Sequence, residues 1–468
     1  MKALIIAAGR GSRIGDTTGK THKALLEVCG ISVIERLVHA MPQVEELVLV
    51  TGYLADLLEN EVRRLIGHKV RLRFVRNRNW NRGNGLSVLA ACNALKGEKR
   101  FLLTMSDHLV EPALIERLTA RGPKRGECLL AVDRDIPGVF DLDDATKVLL
   151  DDSRNRIEDI GKLIYNYNAV DTGVFYCTPA LFNALEEACF AGRESLSDGI
   201  RLLCEQGKMG CRDVSGCLWQ DIDSQQCKTQ AEKKLWARVQ KPRDGVVSRL
   251  FNRKISGWIT RRICGLPVHP TQVTFFNVLL AGVSAWLMAS GHLLAGGLMA
   301  QVYSIVDGVD GELARLKNQG TWFGGWCDNI CDRICDWLII AGAAWGARCI
   351  GATDASFWVL LSAALVSNIA YRTVMDGLLV SGLLRQPARS PGILARIEAW
   401  FYKREMVFGL THDSYLLILA LGVAAGFPAP TLWLLITLET LWWAAKLFQA
   451  HNSKPSTLYA DYLAREKA

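Results

Sequence analysis

Residues Asp307–Asp336, DGVDGELARLKNQGTWFGGWCDNICDRICD, decide how the rest of the chain is read. A run without formal charge from Thr271 to Val306, interrupted only by the titratable His292, precedes them, and the sequence turns apolar again at Trp337. Five aspartates therefore stand at the mouth of a hydrophobic segment, where a buried carboxylate is costly unless a counter-charge cancels it. A divalent cation is the simplest one. Asp307 and Asp310 are three apart, and Asp328, Asp332 and Asp336 are four apart, so on two helices each set lies along one face. Facing each other, they make an oxygen-lined cage suited to Mg²⁺, Mn²⁺ or Ca²⁺ and to phosphate bridged by metal. Gly311 and Ala314 keep the intervening face bare for a ligand, and Arg315 offers a fork for phosphate. The competing reading, a set of helix caps and surface charges, fits less well, because solvated faces mix Lys and Glu with Asp and need no glycine.

The pattern D-x2-D-G-x2-A-R-x8-G-x3-D-x3-D is complete as Asp307, Asp310, Gly311, Ala314, Arg315, Gly324, Asp328 and Asp332. It resembles the signature of the CDP-alcohol phosphotransferases, integral membrane enzymes that move a phosphoryl-alcohol unit from a CDP carrier to a second alcohol and release CMP. The resemblance implies that Asp307, Asp310 and Asp328 hold a two-metal centre of Mg²⁺ or Mn²⁺. It further implies that Asp332 completes the centre and deprotonates the attacking hydroxyl, and that Gly311, Ala314, Arg315 and Gly324 shape the CDP slot.

The 468 residues are half hydrophobic, but this average hides a division. Residues 1–230 read as a soluble domain, 231–268 as a basic linker with an interfacial helix, 269–450 as a membrane domain and 451–468 as a cytosolic tail. The net charge of +8 is local: Lys228 to Arg262 carries 11 Lys/Arg against Glu232 and Asp244. That fits an anionic membrane surface, and with no nucleic-acid-binding motif beside it a nucleic-acid partner is not expected. Within it, Val247, Leu250, Phe251, Ile255, Trp258, Ile259 and Ile263 fall near helical spacing. No secretory signal is visible, and the 14 cysteines show no paired framework, as expected for reduced thiols. The expected location is the inner, cytoplasmic membrane, multi-pass, with the N-terminal domain in the cytoplasm.

Strand-like and helix-like stretches alternate from Met1 to about residue 230, which predicts an α/β, Rossmann-like domain with a mostly parallel sheet. Six transmembrane helices are expected after it, at about Thr271–Ser290, His292–Val306, Trp322–Ala347, Ala355–Leu379, Tyr415–Phe427 and Pro430–Phe448. Positive charge between the fourth and fifth spans marks a cytoplasmic loop. Arg372, at the edge of the fourth span, is a candidate ligand for an acceptor phosphate, with Arg385, Arg389, Lys403 and Arg404 behind it.

The first strand runs into GRGSRIGDTTGKTHK, where Ala8, Gly9, Gly11 and Ser12 let backbone N–H groups approach a triphosphate that Arg13 and Lys23 neutralise. Asp107 ends a strand in LLTMSDH and faces a metal bound to the phosphates; WQDIDS supplies Asp221 and Asp223 for the same ion. These features resemble the nucleotidyltransferases that make NDP-sugars and CDP-alcohols, with His22 where a proline usually precedes the lysine. NRGNGLSV, MSDH, ATKV, IGKLIYNYNAVDTGVF and DIDS are similar to segments of inositol-1-phosphate cytidylyltransferases. That resemblance implies base and ribose contacts from Asn84, Gly85 and Ser87. It also implies an alcohol-phosphate pocket at Lys147, Lys162 and Asp171.

Together the halves resemble bifunctional enzymes that make CDP-inositol from CTP and inositol 1-phosphate and pass inositol phosphate to a second inositol phosphate. The partners so implied are CTP, an alcohol phosphate, a CDP-alcohol, the lipid bilayer and a second copy of the chain. A tethered donor-making domain would raise the local concentration of its product. Two alternatives stand: a regulatory N-terminal domain on a phospholipid synthase that uses CDP-diacylglycerol, or the same two activities on another alcohol phosphate. A choline site would want an aromatic cage, for which Trp80, Trp219 and Tyr167 are candidates. The cysteine content runs against a very hot habitat, and hence leaves open a different polyol phosphate or a lipid alcohol as final acceptor.

Overall fold

A computed structural model describes residues 1–11, 22–151, 153, 155–240, 244–380, 396–397, 400–401, 403–404, 406–407 and 409–451. The chain divides into two compact units, Met1–Ala237 and Arg238–Ala468. The division falls inside a continuous helix, Gln225–Val239, which runs through the boundary expected at residue 230.

The first unit is built on β1 (Lys2–Ala7), β2 (Glu46–Thr51), β3 (Arg71–Arg76), β4 (Phe101–Met105), β5 (Cys128–Asp133), β6 (Lys147–Asp151), β7 (Arg156–Gly161), β8 (Ala169–Cys177) and β9 (Met209–Asp213), in the order β3-β2-β1-β4-β8-β5-β9-β7-β6. Strand residues alternate between faces. Leu4, Ile6, Val48 and Val50 enter one core, with helices α3 (Asn84–Ala90), α5 (Ala180–Phe190) and α6 (Leu196–Glu205) covering it. Ala3, Ile5, Leu47 and Leu49 enter the other, covered by α1 (Val33–Ala40), α2 (Ala55–Ile66) and α4 (Pro112–Thr119). The result is a three-layer α/β unit, each fully buried Leu or Ile contributing roughly 2 kcal/mol.

The mostly parallel sheet expected from the sequence needs correction. β1–β2, β2–β3, β1–β4 and β5–β9 are parallel. β8 enters antiparallel to β4, β5 and β6, and β7 is antiparallel to β6 and β9. The strand–helix alternation that dictates parallel pairing breaks down after β5: β6 and β7 are joined by a short connection that only antiparallel neighbours can use, and β8 follows without a helix to pair antiparallel with β6.

After the last residues of α7 (Gln225–Val239), the second unit continues with a π-helical turn at Ser248–Asn252 and α8 (Arg253–Ile263). Leu250, Phe251, Ile255 and Trp258 point outward and are 46–63% exposed, while Ile259 and Ile263 pack against Val273, Val309 and Leu313. A basic helix with an open apolar stripe is the form an interfacial helix takes.

Among the described residues, six long helices follow: α9 (Pro270–Ala289), α10 (Leu293–Leu316), α11 (Trp322–Cys349), α12 (Asp354–Val380), α13 (His412–Ala424) and α14 (Pro428–His451). They fall where the six spans were expected and share one core, from Ala281 and Tyr303 to Leu419 and Leu435. By length and apolar composition alone, two of the described helices, Pro270–Ala289 and Asp354–Leu378, qualify to cross a membrane. The six-crossing count is therefore not carried by composition. α10 and α11 hold the acidic stretch itself, and α13 is only 13 residues long.

Candidate active sites

In the first unit β1 delivers the chain to Ala8, which is fully buried and whose carbonyl accepts from Tyr53 N at 2.9 Å. Gly9 has open space where a side chain would stand; Gly11, at φ +63°, packs against the Lys23 stem, where a Cβ would lie 2.9 Å from Cδ. Ser12 and Arg13 lie outside the described residues. His22 caps the short turn Lys23–Leu25, its Nδ1 accepting from Ala24 N at 3.1 Å. Burial lowers its pKa to about 4, so the ring stays neutral and able to accept. Here the histidine fixes by a cap what proline would fix by its ring.

Lys23 is nearly buried, and its Nζ meets Asp107 Oδ2 at 2.7 Å and also Asp223 Oδ1. A two-stranded ribbon brings the carboxylates together: His108–Val110 pairs antiparallel with Trp219–Asp221, Asp221 opposite His108, and Ile222 N donates to Asp107 O at 2.9 Å. Burial by itself would raise the Asp107 pKa and lower that of Lys23. Their mutual attraction, joined by the His108 and Asp223 contacts, outweighs this and drives Asp107 well below the carboxylate range and Lys23 up.

His108, which the sequence reading passed over as part of a motif, is the hub of this wall. Its Nδ1 lies 2.7 Å from Asp107 Oδ1, and its ring fills the place a side chain at Gly173 would occupy, with Nε2 2.1 Å from an ideal Cβ there. Gly173 sits at φ +72° and donates its N–H to Asp171 Oδ1 at 2.6 Å. Burial pushes the Asp171 carboxyl up to about 6, opposed by that N–H and by His108. Asp171 N in turn donates to Thr146 O, and Val170 is opposite Lys147. Lys147 Nζ donates to the carbonyls of Asp143, Ala145 and Lys162 at 3.1–3.4 Å, and Lys162 pairs with Asp144 at 2.7 Å. Lys147 and Asp171 thus lie near the starts of β6 and β8 and Lys162 just past the end of β7, linked to one another by these contacts and through His108 to Asp107.

Asn84, Gly85 and Ser87 have protein partners. Asn84 Oδ1 accepts from Leu196 N, Gly85 N donates to Glu194 O, and Ser87 Oγ accepts from Asn77 Nδ2, at 2.8–3.0 Å. Asn84 and Gly85 bolt α3 to the start of α6, and Ser87 ties it to the chain leaving β3. The aromatic candidates are engaged separately: Trp219 Nε1 donates to Asp133 at 2.7 Å, and Trp80 packs on Tyr53 at 5.4 Å between ring centroids.

In the second unit α10 and α11 present Asp307, Asp328 and Asp332 with one oxygen each, all within 4.8 Å of one another. Asp310 is buried on α10, and its Oδ2 accepts from Thr274 Oγ1 of α9 at 2.7 Å. Carboxylate oxygens converging at this spacing are the donor set of a hard divalent cation, so the residues fit the metal that the aspartate pattern implies. Gly324 is the N3 residue of α11, its N–H donating to Thr321 Oγ1 at 2.9 Å. Gly311 and Ala314 lie half-buried on α10. Arg315 Nε donates to Val239 O at 2.6 Å, which turns part of its fork toward the chain that enters this unit.

Arg372 is bound to Asp336 at 2.6 Å, and Asp336 also meets His412 Nε2 at 2.7 Å. Arg385 and Arg389 lie outside the described residues; Lys403 is exposed, and the Arg404 guanidinium lies 3.8 Å from the Trp400 ring centroid. Sequence reasoning also missed Glu312. This residue is 1% exposed on α10 and accepts from Ser256 Oγ at 2.7 Å, Thr260 Oγ1 at 2.8 Å and Arg253 Nη1 at 3.2 Å, all from α8. The signal was present: an arginine, a serine and a threonine on one face of a basic amphipathic helix.

Residues 3–204 match the model of the MobA-like NTP transferase domain, and residues 267–451 that of CDP-alcohol phosphatidyltransferase. A relative from Rubrobacter xylanophilus, bifunctional IPC transferase and DIPP synthase, is 34% identical over 92% of this chain and 92% of its own. The chain belongs to the bifunctional IPC transferase and DIPP synthase family. The Archaeoglobus fulgidus member is also 34% identical, over 67% of this chain and 60% of its own. The inositol-1-phosphate CTP transferase from T. maritima, a solved structure, is 25% identical over 50% of this chain and 96% of its own, with a TM-score of 0.44. Like other members of the bifunctional IPC transferase and DIPP synthase family, the chain joins a nucleotidyltransferase domain to a CDP-alcohol phosphotransferase domain, and it is an enzyme.

Proposed function

We propose that the first unit joins CTP to inositol 1-phosphate, forming CDP-inositol and pyrophosphate. The second unit then transfers phosphoinositol to the hydroxyl of a further alcohol, an inositol phosphate first among candidates, and releases CMP. The observation that carries this is the presence of two complete acidic centres on one chain, each beside a cation that can meet phosphate. A regulatory domain has no physical need of a buried Lys23 held between two carboxylates.

In the first unit the glycine loop and Lys23 bind the triphosphate, with Arg13 beside them, and Asp107 and Asp223 hold the cation that travels with it. Asn84 Nδ2 and the backbone at Gly85 meet the base; Lys147, Lys162 and Asp171 bind the alcohol phosphate. In the second unit Asp307, Asp310, Asp328 and Asp332 hold Mg²⁺ or Mn²⁺, which supplies charge stabilisation to the cleaved pyrophosphate. Asp332 takes the proton from the attacking hydroxyl, Gly311, Ala314, Arg315 and Gly324 frame the CDP group, and Arg372 receives the acceptor. The six helices cross the cytoplasmic membrane with α8 lying on its surface, the first unit sits in the cytoplasm, and the membrane unit pairs with a second copy.

The test supplies CTP, Mg²⁺ and a panel of alcohol phosphates to purified protein and follows pyrophosphate, CDP-alcohol and CMP. Pyrophosphate formed with inositol 1-phosphate and lost in Asp107→Ala supports the assignment; CMP release only from CDP-diacylglycerol would overturn it.

A further inference from the structure

The sequence pattern contains an aspartate that the metal cluster does not use. Asp336 follows Asp332 by four residues, the same step that separates Asp328 from Asp332. Its side chain is nonetheless closed to solvent, and both of its oxygens are occupied: Oδ2 accepts from Arg372 Nη2 at 2.6 Å and Oδ1 from His412 Nε2 at 2.7 Å. Helices α11, α12 and α13 meet on this one carboxylate. Arg372 and His412 keep 24% and 22% of their side-chain surface. The acid is walled off while its two donors remain reachable.

The arrangement does more than pin helices together. A carboxylate placed only to join three helices would serve no better than apolar packing. Here it sits one turn from the cluster and faces a planar guanidinium whose edge away from Asp336 suits a phosphate. His412, the first residue of α13, brings its ring to the same carboxylate from a third helix.

We propose that Asp336 is a positioning residue: touching neither metal nor substrate, it orients Arg372 and His412 to receive the phosphate of a phosphorylated acceptor alcohol whose hydroxyl lies at Asp332. This rests on the reading of Arg372 as the acceptor's ligand. It goes further by naming the buried carboxylate that sets the orientation, and hence the selectivity, of that ligand.

The test uses the full-length protein in detergent. Calorimetry follows binding of inositol 1-phosphate and of unphosphorylated inositol, and kinetics give KM for acceptor and donor separately. Asp336→Asn keeps the shape but removes the charge that aligns the guanidinium. It weakens inositol 1-phosphate binding and raises its KM by about ten- to a hundredfold, the worth of one charged hydrogen bond. The CDP-alcohol KM and the weak binding of inositol stay where they were. His412→Gln, which keeps an N–H toward Oδ1, changes both acceptor measures less than Asp336→Asn does. Unchanged acceptor affinity in a variant that loses only thermal stability would overturn the proposal, as would an equal rise in both KM values or equal wild-type affinity for inositol and its phosphate. If the wild type releases no CMP yet binds the phosphate in an Asp336-dependent way, the transfer reaction fails and the positioning role stands.

Discussion

In the first unit Asp107 and Asp223 close on the ammonium of Lys23, whereas in the second Asp307, Asp328 and Asp332 converge on one another, and the nearby Arg372 is held by Asp336 instead. One acidic site carries its counter-charge in the sequence, and the other draws it from solution. Half-buried carboxylates brought together repel one another, so the second site is assembled at the expense of stability, which a bound cation would return. The first can be closed without one. The difference matches the proposed work: the first site must let pyrophosphate go after each turnover, while the second would keep its metal through the transfer.

The sharpest way to break the comparison is to remove one ligand on each side. Asp328→Ala or Asp332→Asn lowers CMP release by about a thousandfold or more, roughly 4 kcal/mol of transition-state stabilisation, while pyrophosphate formation continues. Joint loss of both activities in folded protein would refute two separable sites. Lys23→Met lowers pyrophosphate formation by about a hundredfold, and CMP release from added CDP-alcohol continues.

Metal removal sharpens the contrast in stability rather than rate. Restoring Mg²⁺ to about a hundredfold over its Kd stabilises the second unit by about 2.7 kcal/mol. Hydrogen exchange of peptides around 303–336 reads this gain, and peptides around 101–110 change less because Lys23 already neutralises their site.

The pH response separates the same groups. Asp107, depressed in the fold, contributes stability that is full above about pH 4 and is lost as pH falls through its folded value. Lys23, raised, contributes stability that is full below about pH 10 and is lost as pH rises beyond. Asp171 runs opposite to Asp107. Its carboxyl, raised to about 6, gives stability that is full below about pH 4 and is lost as pH climbs through 6. Asp171→Asn flattens that slope, by no more than about 3 kcal/mol, in chemical denaturation between pH 4 and 7. The smallest effect is at Lys162, whose pair with Asp144 is exposed: Lys162→Ala raises the alcohol-phosphate KM severalfold and moves stability by less than about 1 kcal/mol.

What could be read from the sequence was what lies close together along it. The aspartate spacing placed Asp307, Asp328 and Asp332 on facing helix surfaces because helical periodicity is local. The stretches read as spans are helical among the described residues for the same reason, though only two of these helices are long and apolar enough to cross a membrane. Asp223 was recognised as a partner of Asp107, but the ribbon that joins them was not. The sheet's antiparallel half was missed because turns after β5 had been read as continuing the earlier alternation. Asp336 with Arg372 and His412 was out of reach altogether: sequence separations of 36 and 76 leave no periodic trace. Glu312 was hidden by its neighbours, since a glutamate inside an aspartate pattern reads as a spacer.

The hold of Glu312 on Arg253, Ser256 and Thr260 has a mechanical consequence. The segment entering the membrane domain is clamped to α10 within one turn of Asp310, so a pull from upstream is stopped at the clamp before it can reach the carboxylates. Residues added before Asp244 should be absorbed as slack, whereas residues added between Thr260 and Pro270 should lever α10 and α9 against each other and spoil the cage.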